Sequence, residues 1–458
     1  MRIDILPDDV LLGIFDFYVD INPWIEAWQP LVHVCRRWRS LVLGSPRRLN
    51  LRLFRTPKML ARNKLDIWPA LPFILSGNMS SGTDNIIAAL GQSNRVCEVD
   101  LYDLSGGWYL ESVLEPMHEP FPELTNLRLV LYGETRTTPP AIPDSFLGGS
   151  APRLRDFELD CIPFPGLPKL LLSTTHLVRL RLADIGRSGF ISPEAMVASL
   201  SVLSSLDALE LEFEPYQSFP VWESQSPPPR NRSILPALTR IHFKVTTEYL
   251  EDIVTFIDAP QLKTLNINFF CQIDFDTPRL AQFINRTPKL SKRDAHVQLH
   301  DNFVRVELPA GSGTLEISIP YTDSEPDRQL SSIEQVCNSS LHPLSTVENL
   351  YIVHHYRRRA WKYVAIENTL WLQLLLPFTA VKNLYLCKEF APGIAAALQE
   401  LVEGRTTGVL PSLQNVFVEG LEPSGLFQEK IGQFVAARQP SDPIVISVWH
   451  KDTNTNPM

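Results

Sequence analysis

The chain of 458 residues is poor in the features that most catalytic and membrane proteins advertise. Its six cysteines, at 35, 97, 161, 271, 337 and 387, are scattered and form no CxxC pair. That spacing supports neither a zinc site nor a disulfide framework. No apolar run approaches the roughly 20 residues that a membrane-spanning helix needs. Asp4, Asp8 and Asp9 stand where a secretory signal requires a basic region and an apolar stretch. The expected location is therefore cytoplasmic or nuclear, with no membrane association. Phosphate-binding loops, HExxH and GxSxG motifs are all missing, so catalysis by this chain, a cofactor and a metal are not expected. The ten histidines are dispersed. His296 and His300 fall in an alternating stretch, and a solvated hairpin face is the preferred reading over a metal pair. Cys35 has basic neighbours in Arg36 and Arg37 but no evident base partner, so helix packing is its better reading.

What charge there is divides unevenly. Residues 1–64 hold 11 Lys and Arg against 6 Asp and Glu, a net of +5, and the remaining residues hold 31 against 45, a net of −14. A nucleic-acid binder is expected to carry a broad positive surface, and this chain does not. A basic head on an acidic body suits contact between the head and an acidic protein.

Two helical patterns occupy the first fifty residues. In the first, Leu6-Pro7-Asp8-Asp9 precedes an apolar stripe of Val10, Leu11, Ile14, Phe15 and Tyr18. Pro7 suits the first helical position, and the two aspartates favour the positive helix N-terminus. Leu12, Phe17 and Val19 cover much of the opposite side, where a surface helix normally keeps a polar face. Such a girdle calls for burial on two sides, one of them by another protein. In the second pattern Leu31, Val34, Trp38, Leu41 and Val42 recur at helical spacing, with Arg36, Arg37 and Arg39 between them. Gly44 and Pro46 close it.

These residues resemble the F-box, the helical module that docks a substrate receptor onto the Skp adaptor of a cullin–RING ubiquitin ligase. The matching pieces are the opening Leu-Pro, the Ile14-Phe15 pair, and Val34-Cys35-Arg36-Arg37-Trp38-Arg39 before Ser45-Pro46. The segment from Val19 to Pro30 is longer than the usual connection between the first two helices. The resemblance implies an adaptor contact on Leu6, Pro7, Leu11, Ile14, Phe15, Val34, Trp38 and Leu41. The rival reading is a plain helical cap on the domain that follows.

From residue 96 onward a phrase recurs: an aliphatic residue, two variable ones, an aliphatic, a variable one, and a third aliphatic. Clear copies are Leu124-Leu127-Leu129, Leu177-Leu180-Leu182, Leu206-Leu209-Leu211 and Leu262-Leu265-Ile267. Altered copies begin at Val96, Leu154, Leu238, Val347, Val381 and Leu413, with Leu315-Ile317-Ile319 a looser member. Spacings of about 23 to 34 residues, with one gap of about 57, lie in the range of leucine-rich solenoids. The alternating end of each phrase predicts a strand with one buried face. The segments between predict returning helices over Glu194–Leu203, Glu248–Ile257, Arg279–Ile284, Ile394–Val402 and Gln428–Ala437. A strand and a helix cannot bury both apolar faces alone, but stacked neighbours can.

The expected class is thus α/β: a helical F-box domain over 1–46 fused to a curved, leucine-rich-repeat-like solenoid with a parallel sheet over 47–450, and a frayed tail over 451–458. An ordinary α/β domain with a parallel sheet is the alternative. Leu49, Leu51 and Leu53 alternate as in a half-buried strand, and Leu71–Leu75 predicts another, so the head should join the sheet without a flexible linker. Ile162, Ile185 and Glu389 stand where the leucine-rich consensus has asparagine or cysteine. Ser224–Ser233, with its three prolines, predicts a loop, and residues 296–314 a hairpin turning at Gly311-Ser312-Gly313. His354 to Arg359 is the densest polar cluster, read as a solvated loop.

Residues alternating with the buried aliphatics must face the open, concave side. Acidic pairs (Glu98 and Asp100; Asp156 and Glu158; Glu210 and Glu212) alternate with basic ones (Arg179 and Arg181; Arg240 and Lys244). Neutralisation between neighbouring strands explains this best, with partner binding the alternative. Tyr351, Tyr385 and Phe417 then occupy equivalent places, and three aligned aromatics form a ready contact surface. The whole chain resembles the F-box-like families of mushroom-forming fungi. That resemblance implies a substrate-recognition subunit, a monomer within its complex, whose partners are the Skp adaptor, through it the cullin, and an unknown target protein. The alternative is an adaptor-independent binding scaffold.

Overall fold

All eleven copies of the aliphatic phrase end on β-strands, as their alternation requires. In the computed structural model the described residues are 5–22, 24–58, 70–133, 140–213, 232–270, 275–290, 293–300, 302–310, 313–321, 326–339, 341–355, 366–404, 408–420, 434 and 444–449. The expected helix over Gln428–Ala437, most of the proline-rich loop, Tyr356 to Arg359 and the tail lie outside them. Among the described residues no helix is long and apolar enough to cross a membrane. The protein is α/β, with strands that are mostly parallel. It divides into two compact units, 1–191 with 198–206, and 192–197 with 207–458.

The first unit opens with helices α1 (Asp8–Ile21), α2 (Gln29–Val34) and α3 (Arg36–Gly44). Six parallel strands follow in chain order: β1 (Leu53–Arg55), β2 (Phe73–Asn78), β3 (Val96–Asp103), β4 (Asn126–Leu131), β5 (Asp156–Asp160) and β6 (Arg179–Ile185). Because each strand is laid in register beside the last, the phrases stack into layers. Leu127 lies beside Phe157 and Phe157 beside Leu180, and likewise Leu129, Leu159 and Leu182 form a row, all of them buried. The strand expected over Leu49–Leu53 starts only at Leu53. Asn50 adopts a left-handed φ of 45°, and turn bonds from the Leu49 and Leu51 amides to Ser45 and Pro46 bury both leucines outside the ladder.

The helical head belongs to the first compact unit. The Trp28 indole donates to the Arg52 carbonyl at 2.9 Å. The Glu26 carboxylate accepts from the Phe54 amide at 2.8 Å and from Arg55 at 3.1 Å. The long segment after α1 thus becomes the weld between helices and sheet.

The second unit contains β7 (Ala208–Phe213), β8 (Ser233–Ile234), β9 (Arg240–Lys244), β10 (Ile257–Asp258), β11 (Thr264–Asn268), β12 (Asp294–His300), β13 (Phe303–Ala310), β14 (Gly313–Pro320), β15 (Asn349–His355), β16 (Asn383–Leu386), β17 (Asn415–Glu419) and β18 (Val445–Trp449). Its main sheet runs β7-β9-β11-β14-β13-β12-β15-β16-β17-β18, and β8 pairs with β10 separately. The hairpin expected over 296–314 proves to be a three-strand meander, β12 to β14, antiparallel within itself and parallel to its neighbours at both ends. This zigzag fills the place of the 57-residue gap in the repeat. Helices Thr247–Phe256, Pro278–Asn285 and Ala391–Gly404 lie where returns were expected, and the expected return over Glu194–Leu203 is a helix over Pro193–Leu200. A helix at Pro326–Ser339 had no counterpart in the repeat phrase, though Leu330, Ile333, Val336 and Cys337 form its buried stripe.

The consensus asparagine positions are filled by other residues. Ile162 and Ile185 are buried as core residues. Polar caps come instead from side chains such as Thr246, which accepts from the Tyr249 amide at 3.4 Å. Layered packing makes each aliphatic position costly to empty. Leu159→Ala should destabilise the protein by about 2–5 kcal/mol, read as a lower urea midpoint at unchanged slope.

Candidate functional site

Three surfaces bring the expected site residues together. The first is α1. Leu11 and Phe15 point into the molecule and are fully buried, with the Phe15 ring 4.7 Å from that of Trp38 on α3. Asp8 accepts from Arg37 at 2.6 Å, and Arg37 also donates to the Leu6 carbonyl, so the start of α1 is tied to α3. A second apolar stripe remains outside: Val10 (42% exposed), Ile14 (44%), Phe17 (66%) and Ile21 (63%). Their spacing of four, three and four residues puts them in one line along the helix. Val34 is exposed on α2, and Trp24 and Ile25 on the connection.

Of the expected adaptor residues, Pro7, Ile14 and Val34 are exposed, while Leu6, Trp38 and Leu41 are half-buried. Leu11 and Phe15 hold the head together and are not available to a partner in this conformation. Val10, Phe17 and Ile21 are exposed instead; the apolar girdle contained Val10 and Phe17 but not Ile21, and it set Val10 and Ile14 on one stripe with Leu11 and Phe15, which the structure splits. The single helix expected across Leu31–Val42 is broken at Cys35, whose backbone is extended and whose sulfur caps α3 by accepting from the Trp38 amide.

The second surface is the charged face of the strands. In the first unit Arg128 joins Asp100 at 3.0 Å and Glu158 at 3.1 Å, and Arg181 joins Glu158 at 2.6 Å. Arg179 pairs with Asp156, and Arg52 with Glu98. In the second unit Arg240 pairs with Asp207 at 2.8 Å and Lys244 with Glu212 at 3.1 Å. Each basic residue expected at a partner site is thus already matched by a carboxylate of its own unit. Glu210, Glu212 and His242 place ligand-capable atoms within 4.8 Å of one another, as do Asp160, Cys161 and Asp184. Burial opposes the charge of Glu212, but the His242 hydrogen bond and the Lys244 ammonium prevail and hold it down at about 2. The ammonium at this carboxylate competes with any cation. With Phe303 and Arg305 these groups line an open cleft of about 470 Å³.

The third surface is a double ladder in the second unit. Parallel register sets Asp294, Asn349, Asn383 and Asn415 side by side, and His296, Tyr351, Tyr385 and Phe417 two residues further on. The amides hand hydrogen bonds along the row: Asn415 to Asn383 and Asn383 to Asn349 at 2.7 Å, then Asn349 to Asp294 at 2.6 Å. The rings stack with centroids 4.4, 4.2 and 4.5 Å apart and planes within 21°. Stacked rings cover one another's faces and offer only edges outward. Trp449 on β18 leans across the edges of Tyr351 and Tyr385 at 6.1 and 5.7 Å. The three aligned aromatics expected as a contact surface are one stacked ridge, partly covered by the C-terminal strand. His296 belongs to the stack and His300 lies on Phe303, so the solvated hairpin face expected for them is an aromatic one.

No protein-family model matches the chain, and no curated protein matches it.

Burial, followed by the nearby Tyr385, pushes the Tyr351 phenol up to about 12 from its ordinary 10.0. A raised folded-state value means stability that is complete below pH 10 and is lost as pH rises toward 12. Tyr351→Phe should therefore show a smaller loss of melting temperature between pH 9.5 and 11.5 than the native chain, checked by calorimetry.

Proposed function

We propose that this protein is a substrate receptor of a Skp–cullin–F-box ubiquitin ligase. α1 to α3 would seat the Skp adaptor, and the strand-and-return body, read as a leucine-rich-repeat-like solenoid, would hold a target protein. The observation that carries this reading is the double-sided α1. One apolar line holds the head together, and a second, Val10-Ile14-Phe17-Ile21, lies bare. Soluble monomers rarely leave a continuous apolar patch uncovered unless a partner uses it. The Leu-Pro, Ile-Phe and Val-Cys-Arg-Arg-Trp-Arg motifs that resemble the F-box lie on these same helices.

The chemistry asked of such a receptor is proximity. It binds a target beside a charged ubiquitin carrier and raises the effective concentration of the target lysine. That role needs no catalytic residue. It needs a head welded to the body, so that the target is held at a fixed place; Trp28 and Glu26 make that weld. The in-register parallel strands of each unit support the solenoid reading, because neighbours such as β4 and β5, or β16 and β17, set buried residues beside buried and outward residues beside outward.

Co-purification with a Skp adaptor tests the proposal. The native chain should capture it, and Ile14→Asp, Phe17→Asp should not, since burying two carboxylates at an apolar contact costs enough to abolish binding. Both side chains point outward, so the variant should keep its circular dichroism and melting temperature. A folded, monomeric native chain that captures no adaptor would leave an adaptor-independent scaffold with a helical cap.

A further inference from the structure

Strand β3 ends on Asp103, whose side chain is completely buried. Its carboxylate accepts from the backbone amides of Ser105 at 2.8 Å, Gly107 at 3.2 Å and Tyr109 at 3.4 Å, and from the Ser105 hydroxyl. Gly106 and Gly107 sit at φ of 74° and 98°, which a side chain would strain. Immediately beyond, Leu110 and Val113 are buried anchors of the helix Leu110–Leu114. The loop over 104–109 is therefore pinned from inside and at its far end.

What this pinned loop presents to water is apolar. Trp108 is 82% exposed and Leu104 60%. Tyr109 and Tyr132 are exposed beside them in the chain and the sheet, and Tyr132 meets Tyr102 edge-on at 6.1 Å. A bare indole on a rigid loop is a poor way to stabilise a fold. It is a good contact anchor, because its ordering entropy is already lost before a partner arrives.

The surrounding charge says what kind of partner. From Arg95 to Arg128 the chain has no intervening lysine or arginine but seven carboxylates, Glu98, Asp100, Asp103, Glu111, Glu115, Glu119 and Glu123. Arg52, Arg128 and Arg153 match Glu98, Asp100 and Glu123, and Asp103 is occupied by the loop. Glu111, Glu115 and Glu119 are exposed, and no ion pair reaches them among the described residues. Glu111 follows Trp108 by three residues, and Glu115 lies one turn further along.

We propose that this rim docks a basic segment of a partner polypeptide. A lysine or arginine would lie over the Trp108 indole, and Glu111 and Glu115 would take up further positive charge. The rim is built without any residue of the α1 stripe, and the proposal stands whether or not an adaptor binds there.

The test presents the full chain and its Trp108→Ala variant to a display library of random short peptides. Binding of the best peptide is then measured by fluorescence anisotropy at two salt concentrations. Peptides held by the native chain and lost by Trp108→Ala should be enriched in lysine and arginine. Their affinity should fall about tenfold in Trp108→Ala, as for an interface anchor. It should also fall in Glu111→Gln, Glu115→Gln and at the higher salt. The double glutamine variant keeps the test valid if the tryptophan variant folds poorly. Trp108-dependent peptides without a basic excess would overturn the proposal. So would the absence of any Trp108-dependent peptide, or a native chain whose self-association Trp108→Ala abolishes, which would make a second copy the occupant.

Discussion

Parallel, in-register strand pairing is the constraint on which the rest depends. With neighbouring strands about 4.8 Å apart, a residue's nearest companions are those at the same place in the adjacent repeats. On the inner side this makes layers of apolar side chains, such as Leu127, Phe157 and Leu180. On the outer side it leaves two ways for polar rows to be stable. Rows of charge must alternate in sign, and Asp100, Arg128, Glu158 and Arg181 do. Rows of like residues must be able to bond or stack with themselves, and the asparagines and the Tyr351, Tyr385 and Phe417 rings can.

These outer ladders change what the exposed face means. Arg181 between Glu158 and Asp160 is not a free cation waiting for a partner. Tyr385, flanked on both faces by rings, cannot offer a face to a ligand. The strand face is therefore largely satisfied by its own neighbours. Two exposed apolar surfaces among the described residues lie off it: the outer stripe of α1, and the Trp108 rim where β3 runs into its loop. The first follows from the girdle of the opening helix, and the second from a buried aspartate that organises the turn.

The head and the body are joined by side chains that look like loop residues. Trp28 and Glu26 lie in the connection that lengthens the F-box-like pattern, and both reach the backbone around β1. An exposed apolar stripe is tolerable on such a head because the stripe carries no share of the fold. Leu11, Phe15 and Trp38 supply the internal packing instead.

Taken alone, the sequence determined the α/β class, the strand placed at each aliphatic phrase, and which residues alternate outward. Period-two and period-3.6 patterns are local, and burial of one face enforces them. It also carried the signal of a two-faced first helix. What it left undecided depends on contacts distant in the chain. Which side of α1 packs inward was settled by where Trp38 falls, and the break at Cys35 by a sulfur that caps α3. The start of β1 was settled by a left-handed Asn50. The meander of β12 to β14 arose because the space between β11 and β15 is filled by strands that pair with both, a choice no local pattern expresses. The charges at Arg179, Arg181, Arg240 and Lys244 were legible as pairs first and as partner contacts second. Only tertiary structure, by placing a carboxylate beside each one, decided that they neutralise their neighbours.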